Sequence, residues 1–179
     1  MDCLQHYCLQ LDFAAGKMRF LDPNGLNSAE LGAAFPLTFS RKGRNSEYLL
    51  PLLPHPRLTG GAEAPLLVDT GCDVDGSLGL PLFRQEVRRQ QLHLQGEARH
   101  GPGAEAAWLP KCVWNGATYT NLWIGAGPDL MGLRFLARHL VTLNFPRRTL
   151  YLRQTSVGPL GNEYPAPGPR VEAPESPGE

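Results

Sequence analysis

The residues with the clearest chemical potential are Asp69, Thr70 and Gly71, which follow the apolar run Leu66-Leu67-Val68. A short apolar run that ends in a turn predicts a buried strand. We therefore expect the Asp69 carboxylate to project from a rigid element into a cleft, where it could exchange protons with a substrate or a water molecule. An Asp-Thr-Gly turn is also an ordinary way to end a strand, so the tripeptide gains meaning from its surroundings.

A second group of acids follows directly, because Asp73 and Asp75 precede Gly76 in a pattern that resembles a calcium-binding loop. The spacing fails for an EF-hand, in which both the first and the twelfth loop positions carry acids. A loop that begins at Gly71 would have Leu82 at its twelfth position. We interpret Asp73 and Asp75 as solvated turn residues that cap the next segment.

Other nucleophiles and metal ligands lack the required spacing. Ser77 is not part of a Gly-x-Ser-x-Gly elbow, and no histidine stands four positions from another with a carboxylate nearby. The cysteines show no C-x-x-C spacing, so we expect core use and neither a zinc site nor a supported disulfide. No cofactor is expected, and the histidines are interpreted as surface residues: His6, His55, His93, His100 and His139.

Charge and hydropathy exclude several classes of partner. Seventeen basic residues balance seventeen acidic ones, so no net field attracts a nucleic acid or an anionic membrane. No apolar run approaches the roughly 20 residues of a membrane helix, and the N-terminus lacks a basic region followed by an apolar stretch. We expect a soluble chain with no nucleic-acid or membrane partner, and the sequence assigns it to no compartment.

The sequence predicts an all-β protein, because 20 glycines and 17 prolines recur between short apolar runs. One hairpin is expected from Phe35 to Leu53 and a second around a glycine-rich turn at 96–103. A third is expected around Asn115-Gly116, which suits a type I′ turn. Helices are expected at about 81–92 and 133–140, and strands at 141–145 and 149–152.

An internal repeat relates residues 1–20 to residues 133–152. Leu4, Leu11 and Phe13 fall on Leu136, Leu143 and Phe145, each 132 positions later. Either two helix-strand-strand segments look alike by coincidence, or residues 1 to about 22 close an earlier lobe whose body is absent. In the second case, 132 residues is the length of one lobe.

In this context the chain resembles one lobe of the pepsin and retropepsin type of aspartic protease. The Asp-Thr-Gly turn after an apolar strand is followed, some sixty residues later, by Leu130-Met131-Gly132 and the helix-like Leu133-Arg134-Phe135-Leu136. The run Val141 to Pro146 also resembles family members, and the resemblance covers about Phe35 to Leu152.

The resemblance implies a closed acid-protease barrel lobe in which Asp69, Thr70 and Gly71 are the catalytic residues. Water is activated by two carboxylates about 3 Å apart that share one proton. Asp69 is therefore half of a site, and the second Asp must come from a homodimer partner or a missing lobe. The resemblance further implies that the Thr70 hydroxyl ties the two active-site turns together, and that Gly71 lets backbone amides approach the carboxylate.

The predicted function is an aspartic-type endopeptidase acting on peptides or unfolded proteins. The alternative is a protease-like domain that binds peptides or dimerises but does not cut. The flap over the substrate is expected at 96–107, with Trp108 packed beneath it. We expect three regions: 1–22 as the closing element of a preceding, largely absent lobe, 32–154 as the protease-like lobe, and 155–179 as a disordered tail rich in Pro, Gly and Glu.

Overall fold

The computed structural model describes residues 4–41, 49–53, 65–94 and 105–160. These residues form thirteen strands in two sheets and two α-helices, which confirms the all-β prediction. The strands are β1 (Cys8–Asp12), β2 (Lys17–Leu21), β3 (Ala33–Pro36), β4 (Thr38–Arg41), β5 (Leu49–Leu53), β6 (Leu66–Val68), β7 (Gly76–Leu78), β8 (His93–Leu94), β9 (Ala106–Trp114), β10 (Ala117–Ala126), β11 (Leu130–Met131), β12 (His139–Asn144) and β13 (Thr149–Gln154). The helices are α1 (Leu80–Arg88) and α2 (Leu133–Ala137).

The larger sheet has the order β4-β5-β6-β11-β7-β10-β9-β8. The short strand β11 lies between β6 and β7, parallel to the first and antiparallel to the second. The chain that leaves β6 must therefore cross the end of β11 before it enters β7. This crossing contains Asp69, Thr70 and Gly71.

Two predicted hairpins are confirmed by strand pairing. Strands β9 and β10 pair antiparallel around Asn115 and Gly116, whose φ angles of 49° and 79° are those of a type I′ turn. Strands β8 and β9 pair on either side of the predicted glycine-rich turn at 96–103, which lies outside the described residues.

The first predicted hairpin needs a correction. Its first arm is divided, since β3 ends at Pro36 and pairs with β13, whereas β4 begins at Thr38 and pairs with β5 in the other sheet. The chain changes sheets at the buried Leu37, whose amide donates to the Arg148 carbonyl. Alternation of apolar residues continues through this point, so the pattern alone could not reveal the change.

Both helices are shorter than expected. Helix α1 ends at Arg88 because Gln90 adopts a left-handed conformation, with φ of 58°. The amides of Gln90 and Gln91 then donate to the carbonyls of Val87 and Glu86, which is a Schellman ending. Helix α2 ends at Ala137, and β12 begins only two residues later, at His139 rather than at the predicted Val141.

The smaller sheet has the order β2-β1-β12-β13-β3 and a local two-fold symmetry. Gln10 is paired with Thr142, the residue 132 positions later, and the Gln10 amide donates to the Thr142 hydroxyl at 3.1 Å. Around this pair, β1–β2 and β12–β13 are hairpins in the same register. The turns of the two hairpins also share a hydrogen bond. The Asp12 side chain accepts from the Ala15 amide, and the Asn144 side chain accepts from the Arg147 amide.

A continuous apolar core, formed by residues of both sheets and both helices, includes Leu66, Phe83, Ile124 and Met131. Within the described residues, the helices are all too short or too polar to cross a membrane.

Candidate active site

Asp69 lies at the point where β6 ends, and its backbone is held by the neighbouring strand. Its amide donates to the Met131 carbonyl at 3.0 Å. One carboxylate oxygen, Oδ1, accepts from the Gly71 amide at 2.8 Å. Asp69 is half-buried, and in the described part of the chain its carboxylate belongs to no ion pair. The group is therefore positioned by backbone atoms and is accessible to solvent.

Thr70 and Gly71 form the exposed tip of the same turn. A Cβ atom added to Gly71 would lie 3.2 Å from Asp69 Oδ1, a close approach that glycine avoids. The predicted catalytic residues Asp69, Thr70 and Gly71 are thus contiguous and share one turn.

The rest of the crossing is bonded to the start of α2. The carbonyl oxygens of Cys72 and Val74 accept from the amides of Leu133 and Arg134, which would otherwise lack helical partners. The Asp75 carbonyl accepts from the Gly132 amide at 2.9 Å. The side chain of Arg134 also donates to the Asp73 carbonyl. These bonds fix the turn to the helix.

Close packing explains why a glycine, Gly132, follows Leu130 and Met131. Both of these side chains are buried in the core, and a Cβ atom on Gly132 would lie 2.1 Å from the Val74 carbonyl oxygen. Any side chain at this position would push the crossing away from α2. The apolar-apolar-Gly pattern is therefore required by packing beneath the Asp69 turn.

Asp75 contradicts the expectation of a solvated turn residue. It is 3% exposed, its Oδ2 accepts from the Trp123 amide at 2.8 Å, and its Oδ1 lies 2.8 Å from Arg138 Nη2. Burial raises the pKa of Asp75, an effect that the Arg138 guanidinium and the Trp123 amide oppose. The sequence does not reveal this pairing because a turn acid is usually solvated, whereas Asp75 is the last residue of the crossing and is buried against β10.

Arg138 is fully buried and joins several parts of the fold. Its Nη1 donates to the carbonyls of Thr120 and Val157, and its Nη2 donates to that of Asn121. Its own carbonyl accepts from the amides of Thr155 and Ser156. The first residues of the segment expected to be a disordered tail therefore bond to the lobe, and 161–179 lie outside the described residues.

The expectation that His139 is a surface residue is wrong, because its side chain is buried and 1% exposed. Its Nδ1 lies 2.9 Å from the Phe135 carbonyl, so this nitrogen carries the proton, and Nε2 accepts from the Tyr119 hydroxyl at 2.8 Å. Burial lowers the pKa of His139 to about 4. His6 and His93 are exposed, and His55 and His100 lie outside the described residues.

The described cysteines are Cys8, Cys72 and Cys112, of which Cys8 and Cys72 are free thiols. Cys8 and Cys112 are buried, and burial raises the pKa of Cys112 to about 11, which keeps this thiol protonated and unreactive. Cys72 is half-buried beside Gly71. Among the described residues, His, Cys, Asp and Glu form no group of three that could hold a metal ion.

Trp108, expected beneath the flap, is buried and packs edge-on against Trp123 with ring centroids 4.7 Å apart. Most of the predicted flap at 96–107, namely residues 96–104, lies outside the described residues.

The sequence carries one signal of the buried ion pair. Arg138 and His139 interrupt an apolar segment that runs from Phe135 to Val141. A charged residue inside such a segment predicts a buried partner of opposite charge. The identity of that partner, 63 positions earlier in sequence, depends on the strand order.

Comparison with protein-family models gives no match to this sequence, and a search of the curated proteins also gives none.

Proposed function

We propose that this chain is one lobe of an aspartic-type endopeptidase, with the acid-protease fold and with Asp69 as its catalytic carboxylate. The observation that carries the proposal is the contrast between two acids of the crossing between β6 and β7. Asp75 is buried and paired with Arg138, whereas Asp69 is half-buried, unpaired within the described residues and oriented by the Gly71 amide. A carboxylate held in this way can accept a proton from a water molecule.

The strand arrangement supports the acid-protease fold. The Met131 carbonyl of β11 accepts a hydrogen bond from the Asp69 amide, and the absence of a side chain at Gly132 lets α2 pack closely against the crossing. Chemistry of this kind needs a rigid support, because a carboxylate displaced by about 1 Å loses much of its catalytic effect. The closed barrel and the flap at 96–107 are parts of this proposal.

The proposed reaction requires a second carboxylate. The sequence contains one Asp-Thr-Gly, so the second Asp comes from another lobe or another copy. With two such turns face to face, the pair shares one proton, one carboxylate withdraws a proton from water, and the other protonates the substrate carbonyl. The water oxygen attacks the peptide carbon as it loses its proton, which gives a tetrahedral diol. The peptide C–N bond then breaks, and a proton from the carboxyl pair passes to the leaving amine nitrogen, so no cofactor takes part.

The single Asp-Thr-Gly also favours a second candidate function. A lobe with one catalytic turn could bind peptides or partners without cutting them, and it would keep every fold feature described above. The two functions differ only in whether a second Asp-Thr-Gly turn joins the first.

The test is hydrolysis of an unfolded protein from acidic to neutral pH, measured together with sedimentation. Cleavage should accompany a species that holds two Asp-Thr-Gly turns and should be lost in Asp69→Asn. Asp22→Asn, which neutralises an exposed acid in a remote turn, is the matched control and should keep activity. Cleavage that persists in Asp69→Asn, or clean dimers that cut nothing at any pH, would contradict the proposal.

A further inference from the structure

The two-fold symmetry of the smaller sheet relates two halves that have different surroundings. The symmetry axis passes beside the Gln10–Thr142 pair, where β1 and β12 meet. In a symmetric homodimer built on this axis, the second copy of β12 would occupy the place of β1. The segment Leu4–Leu21 therefore already fills the position that an identical copy would need.

The two halves of the sheet differ in what covers them. Leu150 and Leu152 are 0% and 4% exposed because the lobe body packs on them, whereas their counterparts Met18 and Phe20 are 61% and 56% exposed. Tyr7, the counterpart of the buried His139, is 48% exposed. The same positions are thus core residues in one half and surface residues in the other.

The exposed residues form one apolar patch, which we call the β2 face and define as Tyr7, Met18 and Phe20. Met18 and Phe20 point to the same side of β2 because they are two positions apart. Tyr7 packs edge-on against Phe20, with ring centroids 5.4 Å apart. An exposed apolar cluster of this kind marks an interaction surface.

The outer edge of β2 also has no neighbouring strand among the described residues. Strand β13 has β3 on its outer side, paired through Thr149–Leu152. The counterpart of this edge is Lys17–Phe20 of β2, which is the end strand of the sheet among the described residues. Unpaired edge strands are templates for the addition of another strand.

We infer that the β2 face and the β2 edge bind the body of a second acid-protease lobe that lacks its own closing element. That body would add a strand antiparallel to Lys17–Phe20 and cover Tyr7, Met18 and Phe20. It would join the chain ahead of Leu4, as residue 132 joins residue 133 in this lobe. The inference rests on the proposed function in one respect: that function is what requires a second catalytic turn.

The test is a tandem chain in which a second copy of residues 23–132 is fused ahead of Met1 of the full chain. Hydrogen exchange of the Lys17–Leu21 amides should slow at least roughly tenfold relative to the full chain, since edge amides become bonded. Phe20→Lys in the tandem should restore fast exchange, whereas Arg19→Lys, on the opposite side of β2, should not. A second tandem tests whether the duplicated body folds upstream. In this chain, residues 133–154 replace residues 1–22 directly after the inserted copy.

Fast exchange at Lys17–Leu21 in the first tandem would overturn the inference, most sharply if the second tandem folds and protects its closing element. A full chain that forms a homodimer with slow exchange at the same amides would also overturn it, because an identical copy would then cover the edge. Slow exchange without any cleavage would support the docking surface and count against the protease function. The two proposals therefore fail separately.

Discussion

At the scale of single residues, Gly132 is a position where packing tightly limits the sequence. A methyl group there would lie 2.1 Å from the Val74 carbonyl oxygen, and the oxygen belongs to backbone that cannot rotate away. We predict that Gly132→Ala lowers the free energy of unfolding by about 3 kcal/mol, as expected for overpacking. Chemical denaturation measures this change.

Gly125→Ala is the matched control, since its added methyl would lie 3.7 Å from Ser77 Cβ, an ordinary contact. It should change the free energy of unfolding by less than about 1 kcal/mol. Equal losses for the two variants would show that the contact between Gly132 and the crossing is unimportant.

The burial of His139 should make the free energy of unfolding depend on pH in the acidic range. Its pKa is lowered to about 4 by burial, against an ordinary value of 6.5. Between these values the unfolded chain binds a proton on this imidazole and the folded chain does not, so acidification favours unfolding. The loss should begin as pH falls below about 6.5, reach roughly 3 kcal/mol near pH 4 and then level off.

Denaturation curves at several pH values, for the wild type and His139→Gln, check this prediction. The variant loses a hydrogen bond at neutral pH but should lack this part of the acid dependence. His6→Gln, at an exposed histidine, should keep the wild-type slope. An unchanged slope in His139→Gln would assign the acid dependence to other groups.

At the scale of elements, the Asp75–Arg138 pair connects the crossing, β10 and the segment after β13. Removing either partner alone leaves a buried charge uncompensated, which costs about 3–5 kcal/mol. We predict that Asp75→Asn and Arg138→Met are each strongly destabilising and that the double variant loses much less than their sum. A double-mutant cycle by denaturation measures this coupling.

The exposed pair of Arg84 and Glu105, also 2.8 Å apart, provides the comparison. Solvent and salt screen it, so the same cycle there should give a far smaller coupling. Additive losses for Asp75 and Arg138 would contradict the role assigned to the buried pair.

The sequence predicted elements whose signals are local. The Asn115-Gly116 turn and the apolar run before Asp69 each depend on adjacent residues, and both appear where expected. The insertion of β11 between β6 and β7 depends on residues some sixty positions apart, for which no local pattern exists. The burial of Asp75 and His139 follows from that insertion and from the packing of α2, so the sequence alone misplaced both.

At the scale of the whole molecule, the repeat provides a matched comparison of equivalent positions. Leu150 is fully buried, and its counterpart Met18 is 61% exposed. We predict that Leu150→Ala costs about 3 kcal/mol of unfolding free energy, whereas Met18→Ala in the full chain costs less than about 0.5 kcal/mol. A large loss for Met18→Ala in the isolated chain would mean that the β2 face is already covered.

The proposal that Asp69 is one of two carboxylates that hydrolyse peptide bonds is tested by the tandem chain. The measurement is the rate of hydrolysis of an unfolded protein by the folded tandem, with Asp69→Asn in either copy and Asp22→Asn as control. We expect cleavage that falls on the order of 1,000-fold or more in each Asp69 variant and persists in the control. A folded tandem that cuts nothing, or one that cuts equally well without Asp69, would rule out a catalytic role for this carboxylate.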